Sequence, residues 1–246
     1  MKFISYIFST VFAVVFLLIL LIFHALQWLA KNLFGYQAHK VVVDYMNLCL
    51  TLSTLLLGVV CRFDNKYKLE KKQTYIFVSN HQSLFDIPPI SWNMRNYHPK
   101  FVSKVELGKG IPSVSYNLTH GGSVLIDRKN GSGALKALMV FAKYLKENNR
   151  SAVIFPEGTR SKTGKPKHFE SSGLKILCKI NKDAFVVPIT VNNSWTIFKY
   201  GKFPLGLLKP ISFQVHEPIK ISSIPFEELI EKTEQIITKH ITNVKS

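Results

Sequence analysis

Cysteine, glycine, proline and acidic residues are all scarce in this chain of 246 residues. Its three cysteines, Cys49, Cys61 and Cys178, are an odd number in a chain too long to need disulfides, which indicates a reducing compartment. There is no CxxC pair and no Cys/His cluster with metal-ligand spacing, so we expect neither a metal site nor a bound cofactor. The 13 Gly and 11 Pro also exclude a collagen-like or disordered chain.

Charge is almost absent from the first 62 positions. Only four bases and one acid occur there, namely Lys2, Lys31, Lys40, Asp44 and Arg62. The other 28 of the 32 Lys and Arg residues follow, with 14 of the 15 Asp and Glu residues. We therefore divide the chain into N-terminal membrane-anchoring helices over 1–62 and a main domain over 63–246. The basic excess of the main domain predicts a polyanionic partner, which is a nucleic acid, an anionic bilayer or a phosphorylated substrate.

The N-terminal segment contains two apolar runs. Positions 3–30 lack any Lys, Arg, Asp or Glu, and as a helix these 28 residues extend about 42 Å, enough to cross a hydrocarbon core of roughly 30 Å. This run is too long for a signal peptide, so we expect it to stay on the mature chain. The second run, 45–60, is either a second span or a helix in the interface. Lysines concentrated after it predict a main domain facing the cytoplasm, at the inner membrane if the source is bacterial.

Strand and helix patterns alternate through the main domain. Six strands are predicted, at 75–78, 100–103, 123–126, 151–155, 185–191 and 211–216. Helices are predicted at 132–148, 171–180 and 226–241. This alternation predicts an α/β fold with a largely parallel central sheet flanked by helices. In such sheets, functional residues gather beyond the carboxyl ends of the strands.

Polar residues follow two of these predicted strands directly. In the first segment, NHQSLFD, His81 and Asp86 meet only if the chain turns between them. Asp86 would then bind Nδ1 of His81 and leave Nε2 as a general base, although a loop histidine and a capping aspartate are the alternative. In the second segment, FPEGTRS, Arg160 can hold a phosphate through two bonds, and Gly158 leaves room for a backbone N–H to approach an oxyanion. The alternative there is a charged surface turn.

Four motifs in order carry a family resemblance: NHQSLFD, IDR at 126–128, FPEGTRS, and Val-Pro-Ile at 187–189. Over approximately residues 72–189 the chain resembles the glycerolipid acyltransferases, a family that includes lysophosphatidic acid acyltransferases. The resemblance implies that His81 and Asp86 are catalytic and that Pro188 lies near the acyl donor. It also implies a set of acceptor-binding residues, which are Arg128, Glu157, Gly158, Thr159, Arg160 and Lys104.

The implied reaction moves an acyl group from acyl-CoA or acyl carrier protein to the sn-2 hydroxyl of 1-acyl-sn-glycerol 3-phosphate. Because a thioester is already activated, this reaction needs neither a metal nor a covalent enzyme intermediate. Alternatives are another lysophospholipid acceptor, or a lipid-binding protein without turnover. A nucleic-acid partner is not expected, because no nucleic-acid motif is present. Glu170 stands where relatives commonly carry a base, and it affects the choice of acceptor only if it faces the pocket.

Overall fold

The computed structural model describes residues 2–242, which form an eight-stranded sheet with helices on both faces. The strands are β1 Cys61–Asp64, β2 Tyr75–Ser79, β3 Pro99–Lys104, β4 Val124–Ile126, β5 Ser151–Ile154, β6 Phe185–Asn192, β7 Ile211–Val215 and β8 Ile219–Lys220. Their order is β1-β7-β6-β2-β5-β3-β4, and β8 pairs with β6. Only the pairs β6–β7 and β6–β8 are antiparallel, so the predicted α/β fold with a largely parallel sheet is confirmed.

Within residues 2–242, six α-helices accompany the sheet: α1 Lys2–Ser53, α2 Ile87–Asn93, α3 Val114–His120, α4 Gly131–Glu147, α5 Ser171–Ile180 and α6 Phe226–Lys239. The helix predicted at 132–148 begins one residue earlier, because the side chain of Asn130 accepts the N–H of Gly133 as its cap. The sequence does not predict β1, β8, α2 or α3. Helices α2 and α3 have seven residues each and β8 has two, too few to show a periodicity, and β1 contains two charged residues, Arg62 and Asp64, in place of an apolar run.

The central strand β2 positions the first polar segment. Its Ile76 and Val78 face a core covered by α4, α5 and α6, whereas Tyr75 and Phe77 face a core shared with α1 and α2. Because β2 lies between β5 and β6 and is buried on both faces, its sequence is a continuous apolar run. The NHQSLFD segment therefore begins in the middle of the sheet, at its carboxyl edge.

Helix α1 is interrupted at Gly35, whose backbone (φ 76°, ψ −161°) turns the chain back on itself. The two arms pack side by side: Leu20 lies against Met46 and Leu50, and the Gln27 amide donates to the sulfur of Met46 over 3.2 Å. The two apolar runs of the sequence are thus the arms of one helical hairpin. The first arm is long and apolar enough to cross a bilayer, so α1 can anchor the chain to a membrane.

The hairpin also packs on the main domain. Phe12 is buried with its ring centroid 5.7 Å from that of Phe85, and Ser9 Oγ accepts the N–H of Leu205 over 2.8 Å. Exposed apolar side chains cover the outer side of the first arm, among them Phe3, Ile7, Val14, Leu18, Ile22 and Trp28. The predicted division at residue 62 falls inside β1, which pairs with β7. It therefore marks a change in composition and not a gap between separately packed units.

Phe12→Ala is expected to lower the free energy of unfolding by about 3–5 kcal/mol, because it opens a cavity between the hairpin and the main domain. Phe8→Ala on the same arm is the matched control, since Phe8 is 46% exposed and Phe12 only 3%. Thermal or denaturant unfolding in the same detergent measures the free energy of unfolding of the two variants. Equal, small losses in the two variants would show that the hairpin contributes no packing to the domain core.

Candidate active site

The NHQSLFD segment makes the turn that the spacing of His81 and Asp86 requires. Ser83 accepts the N–H of Phe85 through its hydroxyl, and a short 3-10 turn, Leu84–Asp86, follows. This turn brings Asp86 Oδ2 within 2.7 Å of His81 Nδ1. Asp86 also accepts the N–H of Ser83, over 2.9 Å, as part of a capping box. The structure therefore combines the His–Asp pair with the alternative of a capping aspartate.

Asp86 is fully buried and surrounded by donors. Its Oδ2 also accepts the backbone N–H of Gln82 over 2.7 Å, and its Oδ1 accepts the hydroxyl of Ser194. With the carboxylate as acceptor, the His81 proton lies on Nδ1, and Nε2 is left with a free lone pair. Among residues 2–242 no group bonds to that Nε2, and the His81 side chain is 15% exposed. The geometry is that of a general base open to an incoming hydroxyl.

The FPEGTRS segment holds the histidine from the other side. Because β5 is the parallel neighbour of β2, Phe155 stacks on the His81 ring with centroids 4.1 Å apart and planes 17° apart. The backbone carbonyl of His81 accepts the N–H of Ser161 over 2.7 Å. The imidazole is therefore fixed by one hydrogen bond and one stacked ring, while its backbone is bonded to the second motif.

Glu157 connects the two segments, and its predicted part in binding the acceptor stays a prediction. It is buried, and its two oxygens accept the backbone N–H groups of His81 over 3.0 Å and Lys167 over 3.3 Å. Burial raises the pKa of the Glu157 carboxyl to about 7, although these two bonds favour the ionised form. Through these two bonds Glu157 ties the backbone of His81 to the second loop.

The raised pKa of Glu157 implies a pH-dependent stability. The ordinary pKa of the group is 4.5, and its pKa in the folded chain is about 7. Between these two pH values Glu157 binds more protons in the folded chain than in the unfolded chain, so the free energy of unfolding falls as pH rises. We expect this group to contribute a fall of about 3 kcal/mol across that window. Glu157→Gln should flatten the fall, whereas Glu147→Gln, at an exposed position, should not. Parallel pH profiles for Glu157→Gln and the unchanged chain would contradict the assignment.

Basic side chains gather at the same edge of the sheet. Arg160 is exposed, and within residues 2–242 its guanidinium has no hydrogen-bond or ion-pair partner. Arg128 donates from Nη1 to the carbonyl of Gly158, which ties the IDR motif to the second loop. Lys104 ends β3, and its strand neighbour in β4 is Ile126, two residues before Arg128. These three cations, Lys104, Arg128 and Arg160, lie at the carboxyl edge of the sheet, and their contact with an acceptor phosphate stays a prediction.

Lys167 is a fourth cation at this edge, and sequence reasoning missed it. Its Nζ donates to the hydroxyl of Thr159 over 2.6 Å and reaches the carbonyl of Arg160 over 3.4 Å. Glu170, which replaces the base expected nearby, is exposed and stands immediately before α5. A negative charge is favourable at a helix start, so Glu170 needs no role in the pocket. The loop thus carries a lysine three residues before Glu170, the position where the family resemblance implies a base.

Pro188 lies inside the sheet and away from the surface. It is a buried residue of β6 whose strand neighbour is Val78, three residues before His81. Its carbonyl accepts the N–H of His216 over 2.9 Å. The structure therefore shows Pro188 supporting the strand that leads to His81. Its nearness to the acyl donor stays a prediction.

Comparisons with known proteins agree with this geometry. The model of the acyltransferase family matches residues 60–192. The 1-acyl-sn-glycerol-3-phosphate acyltransferase of Helicobacter pylori is 34% identical over 172 residues, covering 67% of this chain and 69% of that protein. The protein of the same name from Saccharomyces cerevisiae is 30% identical over 207 residues, covering 77% of this chain and 59% of that protein.

A solved structure shares the fold. The crystal structure of the 1-acyl-sn-glycerophosphate acyltransferase PlsC from Thermotoga maritima aligns with a TM-score of 0.75 and 22% sequence identity, over 97% of this chain and 93% of that one. The likeness therefore includes the N-terminal hairpin as well as the sheet. Because the family model spans more than half of the sequence and contains both loops around His81, this chain belongs to the acyltransferase family.

Proposed function

We propose that the chain transfers a fatty acyl group from a thioester to the sn-2 hydroxyl of 1-acyl-sn-glycerol 3-phosphate, giving phosphatidic acid. The observation that carries this proposal is the position of His81 next to the loop that contains Arg160. His81, whose Nδ1 is 2.7 Å from buried Asp86, lies beside a loop that presents the exposed guanidinium of Arg160, and no group among residues 2–242 bonds to His81 Nε2 or to that guanidinium. A base and a cation able to hold a phosphate at one edge of the sheet support this proposal. The names of the related proteins support the same substrate.

The residues present support a direct transfer. Nε2 of His81 takes the proton from the sn-2 hydroxyl as its oxygen attacks the thioester carbonyl. The buried carboxylate of Asp86 stabilises the imidazolium that forms. Collapse of the tetrahedral intermediate breaks the carbon–sulfur bond, and the leaving thiolate takes the proton back from His81. The enzyme returns to its starting state without a covalent intermediate.

The charge of the site favours a phosphate monoester. Such a group carries up to two negative charges, and charged hydrogen bonds from arginine are about twice as strong as neutral ones. Arg128, Arg160 and Lys104 lie at this edge, and Lys167 adds a fourth positive charge. A zwitterionic lysophospholipid would supply one negative charge and bring a positive group to the same cations. We therefore favour lysophosphatidic acid over the remodelling alternative.

The donor and the cellular location follow from the same proposal. Acyl-CoA and acyl carrier protein are both polyanionic and cytoplasmic, and the net charge of +17 attracts either of them. The hairpin would hold the site at the bilayer where the acceptor resides, with the main domain facing the cytoplasm. Its partners are then membrane lipids, the lysophospholipid acceptor and the thioester donor.

Arg160→Ala tests the acceptor assignment. We expect it to lower kcat/KM toward lysophosphatidic acid by roughly 10- to 150-fold, because a charged hydrogen bond is worth about 1.5–3 kcal/mol. The kcat/KM of this variant toward monoacylglycerol, which lacks the phosphate, should fall much less. Arg62→Ala, an exposed site on β1 at the far edge of the sheet, controls for the loss of one charge. Equal losses on both acceptors would exclude a contact between Arg160 and phosphate, and no turnover by the unchanged chain would favour a lipid-binding protein.

A further inference from the structure

Residues 199–209 form a loop, the 199–209 loop, that lies across the open end of the helical hairpin. Beside the first arm, the ring centroids of Phe203 and Tyr6 are 5.4 Å apart. Beside the turn that follows the second arm, the backbone N–H of Leu208 donates to the carbonyl of Leu57 over 3.0 Å. The loop therefore contacts the free ends of both arms and extends the surface of the hairpin.

Two large apolar side chains of this loop are exposed, although its backbone is firmly held. Phe203 is 49% exposed and Leu208 is 71% exposed, and Tyr6, which contacts Phe203, is 44% exposed. Between them, residues 204–206 are buried, and Gly206 donates its N–H to the 3-10 turn before the loop over 2.7 Å. Together with the exposed side of the first arm, these side chains form a continuous apolar surface. A surface of this kind marks an interaction site.

The charge of the loop is positive. No Asp or Glu occurs over positions 184–216. The exposed cations of the loop are three lysines, Lys199, Lys202 and Lys209. Lys2, at the start of the first arm, adds a fourth: its Nζ lies 6.0 Å from the centroid of the Tyr200 ring, and that of Lys199 lies 4.9 Å from it. Apolar side chains flanked by lysines and a tyrosine are typical of the headgroup region of a bilayer, where anionic lipids attract the lysines.

The loop is also connected to the active site. The 3-10 turn Ser194–Phe198 leads directly into it. The hydroxyl of Ser194 donates to the buried carboxylate of Asp86, and the Phe198 ring stacks on that of Phe85 with centroids 5.8 Å apart. The position of the loop relative to a bilayer therefore sets the position of the catalytic turn.

We propose that the 199–209 loop is a second membrane contact, which places Phe203 and Leu208 at the boundary of the hydrocarbon core and its lysines among the phosphates of anionic lipids. A bilayer is favoured over a second copy of this chain, because the loop continues the exposed apolar side of the membrane anchor. A second copy would also bring the same lysines against it. The loop then holds the His81–Asp86 pair at the bilayer surface, a consequence that rests on the proposed function, in which the acceptor is a membrane lipid.

Fluorescent labels on the full chain test this contact in vesicles of phosphatidylcholine and phosphatidylglycerol. Phe203→Cys and Leu208→Cys each carry a nitrobenzoxadiazole label in a chain whose half-buried cysteines, Cys49 and Cys61, are replaced by Ala; the third cysteine is buried. We expect both labels to shift their emission to shorter wavelength and to be quenched by nitroxide-labelled lipid. The matched control is Val140→Cys, 69% exposed on α4 at the opposite face of the sheet, whose label should show neither effect.

Leu208→Cys decides the matter if Phe203→Cys does not fold, because the Leu208 side chain is the more exposed of the two. Labels on the loop that emit as in water and are not quenched overturn the proposal. A shift to shorter wavelength without quenching by the lipid nitroxide would show that protein, such as a second copy of the chain, covers the loop, and this result also overturns it.

The same labels test the three lysines. Quenching should be weaker in vesicles of phosphatidylcholine alone, because the lysines then lack anionic lipid. A variant with all three replaced should lose this dependence on phosphatidylglycerol: Lys199→Gln, Lys202→Gln and Lys209→Gln. The matched control replaces three exposed lysines of α4 and should keep it: Lys136→Gln, Lys143→Gln and Lys146→Gln. Equal quenching of the unchanged loop in the two kinds of vesicle overturns the assignment of its lysines to anionic lipid.

Turnover separates this inference from the proposed function. Phe203→Ser combined with Leu208→Ser should lower kcat/KM for lysophosphatidic acid in vesicles at least about tenfold, because two large apolar side chains no longer hold the loop at the bilayer. Turnover of the same acceptor in detergent should equal that of the unchanged chain. Equal kcat/KM in vesicles overturns the role of the loop in reaching the acceptor. An unchanged chain that turns over in neither medium contradicts the proposed function, and the fluorescence measurements still decide the membrane contact.

Discussion

Replacing His81 by Ala is expected to lower kcat for acyl transfer by about 10²- to 10⁴-fold, the usual contribution of a general base. KM for lysophosphatidic acid should change little, because the cations assigned to its phosphate belong to other loops. The variant should still fold and bind membranes, since the His81 side chain makes one hydrogen bond and one stacking contact. Steady-state assays of purified protein in detergent measure both constants.

His120→Ala is the matched control for this experiment. His120 is exposed at the end of α3, where it stacks on Tyr116 with centroids 4.3 Å apart, and it does not contact either active-site loop. Its replacement should leave kcat unchanged. If His81→Ala keeps most of the turnover, another group removes the proton and the mechanism derived from the His81–Asp86 pair is wrong.

Asp86→Asn should have an effect of similar size, about 10²- to 10⁴-fold in kcat. The amide that replaces one carboxylate oxygen is a donor, yet Asp86 faces only donors: His81, Ser194 and the backbone of Gln82 and Ser83. The imidazole would then favour the tautomer with Nε2 protonated, which cannot act as a base.

Ser194→Ala gives a graded comparison for Asp86→Asn. It removes one hydroxyl donor from Oδ1 of Asp86 and leaves the bond to His81 intact, so we expect a loss of at most about tenfold. Thermal unfolding of each variant shows whether lost activity reflects lost fold. Full activity of a folded Asp86→Asn would mean that Asp86 caps the turn without supporting catalysis.

The sheet could be predicted because its central strands are buried on both faces. Continuous apolar runs such as β2 and β6 are typical of strands buried on both faces. The polar residues that follow β2 and β5 indicate the carboxyl edge of the sheet. The contact between His81 and Asp86 was also within reach, since a five-residue spacing after a strand needs only a tight turn. Strands of two or four residues at the sheet margins, β8 and β1, leave no such pattern.

Several site contacts lie beyond sequence reasoning because they join distant segments. Ser194 reaches Asp86 across 108 positions, and nothing in its local sequence marks it. Glu157 is predicted from its place in FPEGTRS, but its bonds to the backbone N–H groups of His81 and Lys167 join segments that the sequence does not bring together. Lys167 follows the motif in a loop whose course only the fold shows. Composition likewise reveals two apolar runs without indicating that Gly35 folds one along the other.

A competition assay tests the central claim most directly. Equal amounts of lysophosphatidic acid and lysophosphatidylcholine are offered to the purified full-length chain with one labelled acyl-CoA, and the products are separated. The proposed function predicts that labelled phosphatidic acid predominates and that His81→Ala forms neither product at a comparable rate. Predominance of labelled phosphatidylcholine would contradict the assignment of lysophosphatidic acid as the acceptor.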